Sequence, residues 1–301
     1  MTWLILCLMA PLFWALTNFI DKYILERHIT SISDFLFFSS LSSFIFLPFI
    51  TVIFGVPEIT SYTILVVFSG MIQVASYGFY ARGLEKGETS SIMMLMGLGP
   101  IIVILAGYIF LGQVLDGLEI LSALIVVAGV VIVMLNNIKA LSLRLLFKPG
   151  ADWMLITVII WSGNMVFADW LLQQMTFADF FVLDVLGMAI LGLFLLILPV
   201  TRKKVKEGLR VSARAKYGWF ICNTALDIAA QLCVKLALFF VPLAGIVAVA
   251  LQIQNFYLVA MGYAITVFVP HVIEEDISRP VVIRKLIGAS LILIGIAVLS
   301  I

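Results

Sequence analysis

Metal-binding residues are scarce in this chain. It has three cysteines and two histidines in 301 residues. Cys7, Cys222 and Cys233 fall inside apolar runs, without metal-ligand spacing, and read as small apolar fillers. His28 and His271 fall in connections between runs, so no metal and no cofactor is expected. Charge is also sparse, at 12% of residues with a net charge of +1, which gives no reason to expect nucleic acid as a partner. HExxH, GxSxG and paired-aspartate motifs are missing, so the chain reads as no enzyme. Met1 and Thr2 lead straight into an apolar run with no basic stretch ahead of it, so no cleaved leader is expected.

What the chain has is apolar length. Apolar residues make up 63% and the mean hydropathy is +1.21, the composition of a polytopic helical membrane protein. Ten apolar segments can be marked: Trp3–Tyr23, Phe35–Phe54, Tyr62–Ala81, Ser90–Leu111, Leu118–Leu135, Trp153–Leu172, Phe177–Val200, Tyr217–Phe240, Ala244–Val269 and Val281–Ile301. Most approach the ~20 residues that a helix needs to cross hydrocarbon. The connections are short, apart from Asn136–Asp152, Thr201–Lys216 and Pro270–Arg284.

All but one of the 18 Lys and Arg residues fall in the odd-numbered connections or at the segment ends beside them; the exception is Lys235, well inside the eighth segment. By the positive-inside rule those connections are cytoplasmic and both termini face outward. The expected location is the plasma (inner) membrane of a prokaryote. The run TRKKVKEGLRVSARAK reads as a cytoplasmic loop that sets topology, or one that touches anionic lipid.

The chain also repeats itself. FWALTNFIDKYIL in the first segment parallels IWSGNMVFADWLL in the sixth, with Trp14 over Trp161 and Asp21 near Asp169. Asp34-Phe35 parallels Asp179-Phe180, and SALIVVAGVVIV parallels GASLILIGIAVL. Ser69, Gln73 and Tyr77 fall on Asn223, Asp227 and Gln231 at a constant offset. The expected fold is therefore an all-α membrane protein: ten transmembrane helices as two five-helix repeats around a central cavity. The repeats are residues 1–138 and 153–301, with a linker at 139–152. Five is odd, so the second repeat enters the membrane inverted, as in secondary transporters.

The eighth segment, WFICNTALDIAAQLCVKLALFF, organises the site. Asn223, Asp227, Gln231 and Lys235 recur every four residues, about 400° of helical turn, and so form one slowly winding polar stripe. A carboxylate facing lipid is costly, so the stripe should face helices or water. It is either a substrate site or a polar seam between helices. At similar depth fall Trp14 and Asn18, Gln73 and Tyr77, Gly99-Pro100, Trp161 and Asn164, and Gln252, Gln254 and Asn255. The amides serve a polar substrate or bond between helices, and the tryptophans are ligand contacts or packing. Asp21 and Asp169 are gating groups or solvated helix ends. Asp184, in the seventh segment, is a weaker candidate. Asp227 and Lys235 lie two turns apart, about 12 Å of rise, too far for direct pairing.

The run FWALTNFIDKYIL, the stretch Tyr77–Ala81 leading into LEKGETSSIMMLMGLGPIIVILAGYIFLGQ, and SALIVVAGVVIV resemble the EamA-like branch of the drug/metabolite transporter superfamily over nearly the whole chain. The resemblance implies a carrier whose cavity is lined mainly by helices one, three, four, six, eight and nine, and makes the seventh peripheral. It also implies cytoplasmic termini, against the charge pattern, and a glutamate where this chain has Gln113. Expected partners are a small-molecule substrate and membrane lipid; the pattern selects no oligomeric state. The expected activity is alternating-access transport of a small polar metabolite, first an amino acid-like solute and by export. Desolvation disfavours the charged form of an acid, so Asp227 is the expected proton- or ion-responsive group, with Lys235, Asp21 and Asp169 as further coupling or gating positions. The alternatives are a flippase for a lipid-like substrate and an exporter of cationic drugs or amines.

Overall fold

A computed structural model describes residues 2–86, 94–134, 149–210, 214–268 and 279–299. All regular structure among them is helical. The helices are α1 (Thr2–Arg27), α2 (Ile32–Phe54), α3 (Thr63–Lys86), α4 (Gly99–Leu111), α5 (Gly117–Met134), α6 (Ala151–Leu172), α7 (Phe177–Ile197), α8 (Pro199–Arg210), α9 (Arg214–Phe240), α10 (Ala244–Ala250), α11 (Gln254–Phe268) and α12 (Arg279–Leu299). Short 3-10 turns, Met94–Leu98 and Leu251–Ile253, precede α4 and α11. Lys139, Arg144, Lys148 and His271 lie outside the described residues, as does most of the expected linker.

Local chemistry places several helix starts. The Ser31 hydroxyl accepts from the Asp34 N–H at 3.3 Å to begin α2, and that of Thr176 accepts from the Asp179 N–H at 3.2 Å to begin α7. Asp116 and Glu119 cap α5 reciprocally, each carboxylate accepting the other's N–H, at 2.8 and 2.7 Å. Each bond occupies an N–H that a helix start leaves unpaired.

Among the described residues, eight spans are long and apolar enough to cross a membrane, and two shorter apolar helices, Leu95–Leu111 and Gly117–Val133, accompany them. Large apolar side chains cover the exterior: Val52, Ile64 and Phe110 are each more than three-quarters exposed. In water such a surface would be a liability; against acyl chains it is the expected one.

The principal packing joins elements from the two ends of the chain. α1 runs along α9, α2 along α7, and α5 along α12, while α3 lies against both α6 and α7. α4 packs on α6 and α10, and α1 also on α11. Two crossings depend on glycine. A Cβ on Gly70 of α3 would overlap the backbone carbonyl of Asp184 in α7, and one on Gly187 would overlap that of Val67. At the α5/α12 crossing, Gly129 and Gly288 face each other's carbonyls, and added Cβ atoms would stand 2.7 and 2.6 Å from them.

Three expectations need correction. The ninth segment is not one continuous α-helix but is interrupted at mid-length by a 3-10 turn, and the described part of the fourth opens on a 3-10 turn, Met94–Leu98, rather than on α-helix. Pro100, at the first turn of α4, lacks the N–H that would continue the ladder. In the ninth segment, the Asn255 side-chain amide donates to the Gln252 carbonyl at 3.2 Å, and Gln252 reaches the Ala248 carbonyl at 3.5 Å. Side-chain amides thus substitute for backbone donors. Lastly, the basic run after α7 is not simply a loop. It begins as α8, whose Val205 and Gly208, three residues apart, bury one face against α2 and α7. Its cations point outward.

Replacing Gly187 by valine is expected to cost about 3 kcal/mol or more, because backbone rather than a movable side chain fills the space. Thermal unfolding in detergent checks this; an unchanged midpoint would show that the α3/α7 crossing is looser than its geometry implies.

Candidate functional site

Asp227 stands at the midpoint of α9 and is 9% exposed. Trp14 Nε1 of α1 donates to its Oδ1 at 3.0 Å, and the Tyr77 hydroxyl of α3 donates to its Oδ2 at 2.8 Å. The amide of Gln73 reaches the Tyr77 oxygen at 3.5 Å. Asn164 of α6 donates to Gln73 Oε1 at 3.3 Å and accepts from the Ser69 hydroxyl at 3.1 Å. A continuous polar chain therefore runs across α1, α9, α3 and α6. Because every link is side chain to side chain, it specifies the relative rotation of four helices. It is fully compatible with an acid at its centre, whose oxygens require donors once water is excluded.

This chain borders a cavity of about 230 Å³. Of the candidate residues, Trp14, Asn18, Asp21, Gln73, Tyr77, Trp161, Asn164, Asp227, Gln231, Lys235 and Gln254 line it. Gly99 and Pro100, at the break before α4, and Leu251 and Gln252, at the break before α11, also contribute. The interruptions thus sit on the cavity wall, where irregular backbone is tolerated. The Gly99 carbonyl accepts from Ser162 at 3.3 Å. Trp161 Nε1 bonds the Ser76 hydroxyl, and its ring lies 5.7 Å from that of Tyr80, another lining residue.

Two candidates stand elsewhere. Asn255 is not a lining residue; its amide is taken up by Gln252 at the helix break. Asp169 is wholly buried outside the cavity, where Gln113 donates to it at 2.5 Å and to the Pro242 carbonyl at 3.0 Å. Gln113 is therefore the amide that Asp169 requires; a glutamate would oppose two carboxylates. Neither Asp169 nor Asp21 is a solvated helix end: Asp21 lines the cavity and accepts from Asn223 at 2.8 Å.

Sequence reasoning undervalued two acids. Asp184 of α7 is 1% exposed and lies 3.9 Å from Lys235. Asp34 is wholly buried with Lys216 at 2.8 Å, and also accepts from the Thr30 N–H at 3.1 Å. By sequence Lys216 closes the basic run TRKKVKEGLRVSARAK. The available signal was its position immediately before the apolar run of the eighth segment, where a lysine either reaches water or turns inward to a partner.

A helical protein with a lipid-compatible exterior and a cavity into which acids, amides and a lysine reach has features that suit a membrane carrier. The comparisons agree in class. Residues 1–135 match the model of the EamA-like transporter family. That match covers somewhat less than half of the chain and supports a likeness to the drug/metabolite transporter superfamily; with its apolar spans the chain is an integral multi-pass membrane protein. A solved structure titled "Crystal structure of protein" is similar at 14% identity with a TM-score of 0.66, covering 98% of this chain and 95% of that one. At that identity the likeness shows the fold alone. No curated protein matches the chain.

Tyr77→Phe removes a donor from a buried acid and is expected to destabilise by about 1.5–3 kcal/mol. In the Tyr77→Phe/Asp227→Asn double variant the losses should fall short of their sum, since both changes break one bond. Additive losses in detergent unfolding would mean that the bond contributes nothing.

Proposed function

We propose that the protein is a secondary carrier that moves a small polar metabolite across the membrane by alternating access, with Asp227 as the proton- or ion-responsive group. The observation that carries this reading is the carboxylate of Asp227, held by side chains from α1 and α3 at the edge of a cavity. A seam between helices needs no empty volume beside it; a binding site does.

The inverted-repeat plan of ten crossing segments supports the reading. Counting the interrupted helices as single segments, α1 with α9 corresponds to α3 with α6 when the halves are exchanged. α4 with α6 corresponds likewise to α1 with α10 and α11. The 3-10 turns Met94–Leu98 and Leu251–Ile253 each directly precede a helix, one in the fourth segment and one in the ninth. Two related halves meeting at a cavity can rock around a fixed site. The solute we favour is amino acid-like and exported. The lysine and arginine distribution supports outward termini and the plasma membrane of a prokaryote.

Proteoliposomes supplied with radiolabelled amino acids, with and without an imposed pH gradient, test the proposal. Wild type should accumulate label under the gradient, and Asp227→Asn should lose that accumulation while retaining its fold. Intact gradient-driven accumulation in the variant would remove the coupling role from Asp227.

A further inference from the structure

Among the described residues, the cavity is lined by two acids, Asp21 and Asp227, and by one base, Lys235. The acids have donors in place: Asn223 for Asp21, and Trp14 and Tyr77 for Asp227. Lys235 is in a different situation. It is 3% exposed, and its acidic neighbour Asp184 lies at 3.9 Å, longer than a hydrogen bond. Asp184 is not a lining residue; it stands behind Lys235 on α7. Its other oxygen, Oδ1, is buried without a hydrogen-bond partner among the described residues. The Lys235 ammonium also lies 5.5 Å from the centre of the Phe180 ring.

A buried ammonium requires compensation, and a loosely paired carboxylate supplies it incompletely. Flexible and bearing three donors, the lysine can turn towards a second anion arriving from the cavity. Asp184 cannot follow easily, because its backbone is fixed against Gly70 at the glycine crossing of α3 and α7.

We infer that Lys235 is the subsite for a carboxylate group of the bound solute, and that Asp184 is the internal counter-ion which that carboxylate displaces. The acids Asp21, on α1, and Asp227, on α9 with Lys235, line the same cavity, so a solute carrying both an amine and a carboxylate has a pole for each end. Asp184 then sets affinity without touching the solute. It holds Lys235 in the empty site and competes with the incoming anion. This inference deepens the carrier reading and rests on it only for the identity of the occupant as cargo.

The test is calorimetric titration of the purified full chain with hydrocinnamate, which has a carboxylate only, phenethylamine, which has an amine only, and phenylalanine, which has both. Aromatic probes suit walls containing Trp14, Tyr77, Tyr80 and Trp161. Asp184→Asn frees the lysine from its competitor and should tighten hydrocinnamate about tenfold or more, leaving phenethylamine unchanged. Lys235→Gln leaves Asp184 as an uncompensated buried acid, so the double variant Lys235→Gln/Asp184→Asn, which removes both charges, serves as the folded control. It should lose hydrocinnamate and keep phenethylamine. Equal carboxylate affinity in wild type, Asp184→Asn and the double variant would overturn the inference, and so would no carboxylate binding by any of them. Carboxylate binding that follows this order in a protein that transports nothing would instead sink the carrier reading and leave the subsite standing.

Discussion

Taking a carboxylate out of water costs several kcal/mol unless donors replace the solvent, and the position of Asp227 shows how that constraint shapes the molecule. Its two oxygens accept from two different helices, so α1, α3 and α9 are mutually positioned by one side chain. The chain through Gln73, Asn164 and Ser69 extends the constraint to α6. Apolar packing alone would allow these helices to slide or rotate, since acyl chains and leucine side chains are similar environments. Directional bonds select one arrangement, and in that arrangement a cavity remains beside the acid.

The helix interruptions belong to the same logic. Backbone groups inside a membrane protein must be paired, so a helix is broken only where something replaces its ladder or where the wall is wet. Gln252 and Asn255 are the replacements in one half, and Ser162 supplies a donor to the Gly99 carbonyl in the other. Both breaks contribute lining residues. The amides that looked equally suited to substrate and to structure divide accordingly. Gln254 lines the cavity and Asn255 does not, although the two are adjacent, because neighbouring residues on a helix point about 100° apart.

Most of the helix boundaries were legible, because apolar length and terminating polar residues are local properties. The stripe from Asn223 to Lys235 was legible for the same reason: four-residue spacing fixes one face whatever lies opposite. What lay opposite was not. Asp184 was judged peripheral from its helix, yet the glycine contact at Gly70 brings α7 against α3 and sets Asp184 beside Lys235. Asp34 and Lys216 are far apart in the chain and nothing local pairs them; their burial exists because α2 and α9 begin at the same place.

The sequence by itself determined the membrane-spanning helical class, most of the segment limits and the face on which the central acid lies, since each follows from the order and period of apolar and polar residues. The tertiary structure alone decided which residue answers each buried charge. Pairing across a bundle depends on how closely helix axes approach and how they are rotated, and a few glycines and side-chain bonds set both at distances along the chain that no local pattern spans.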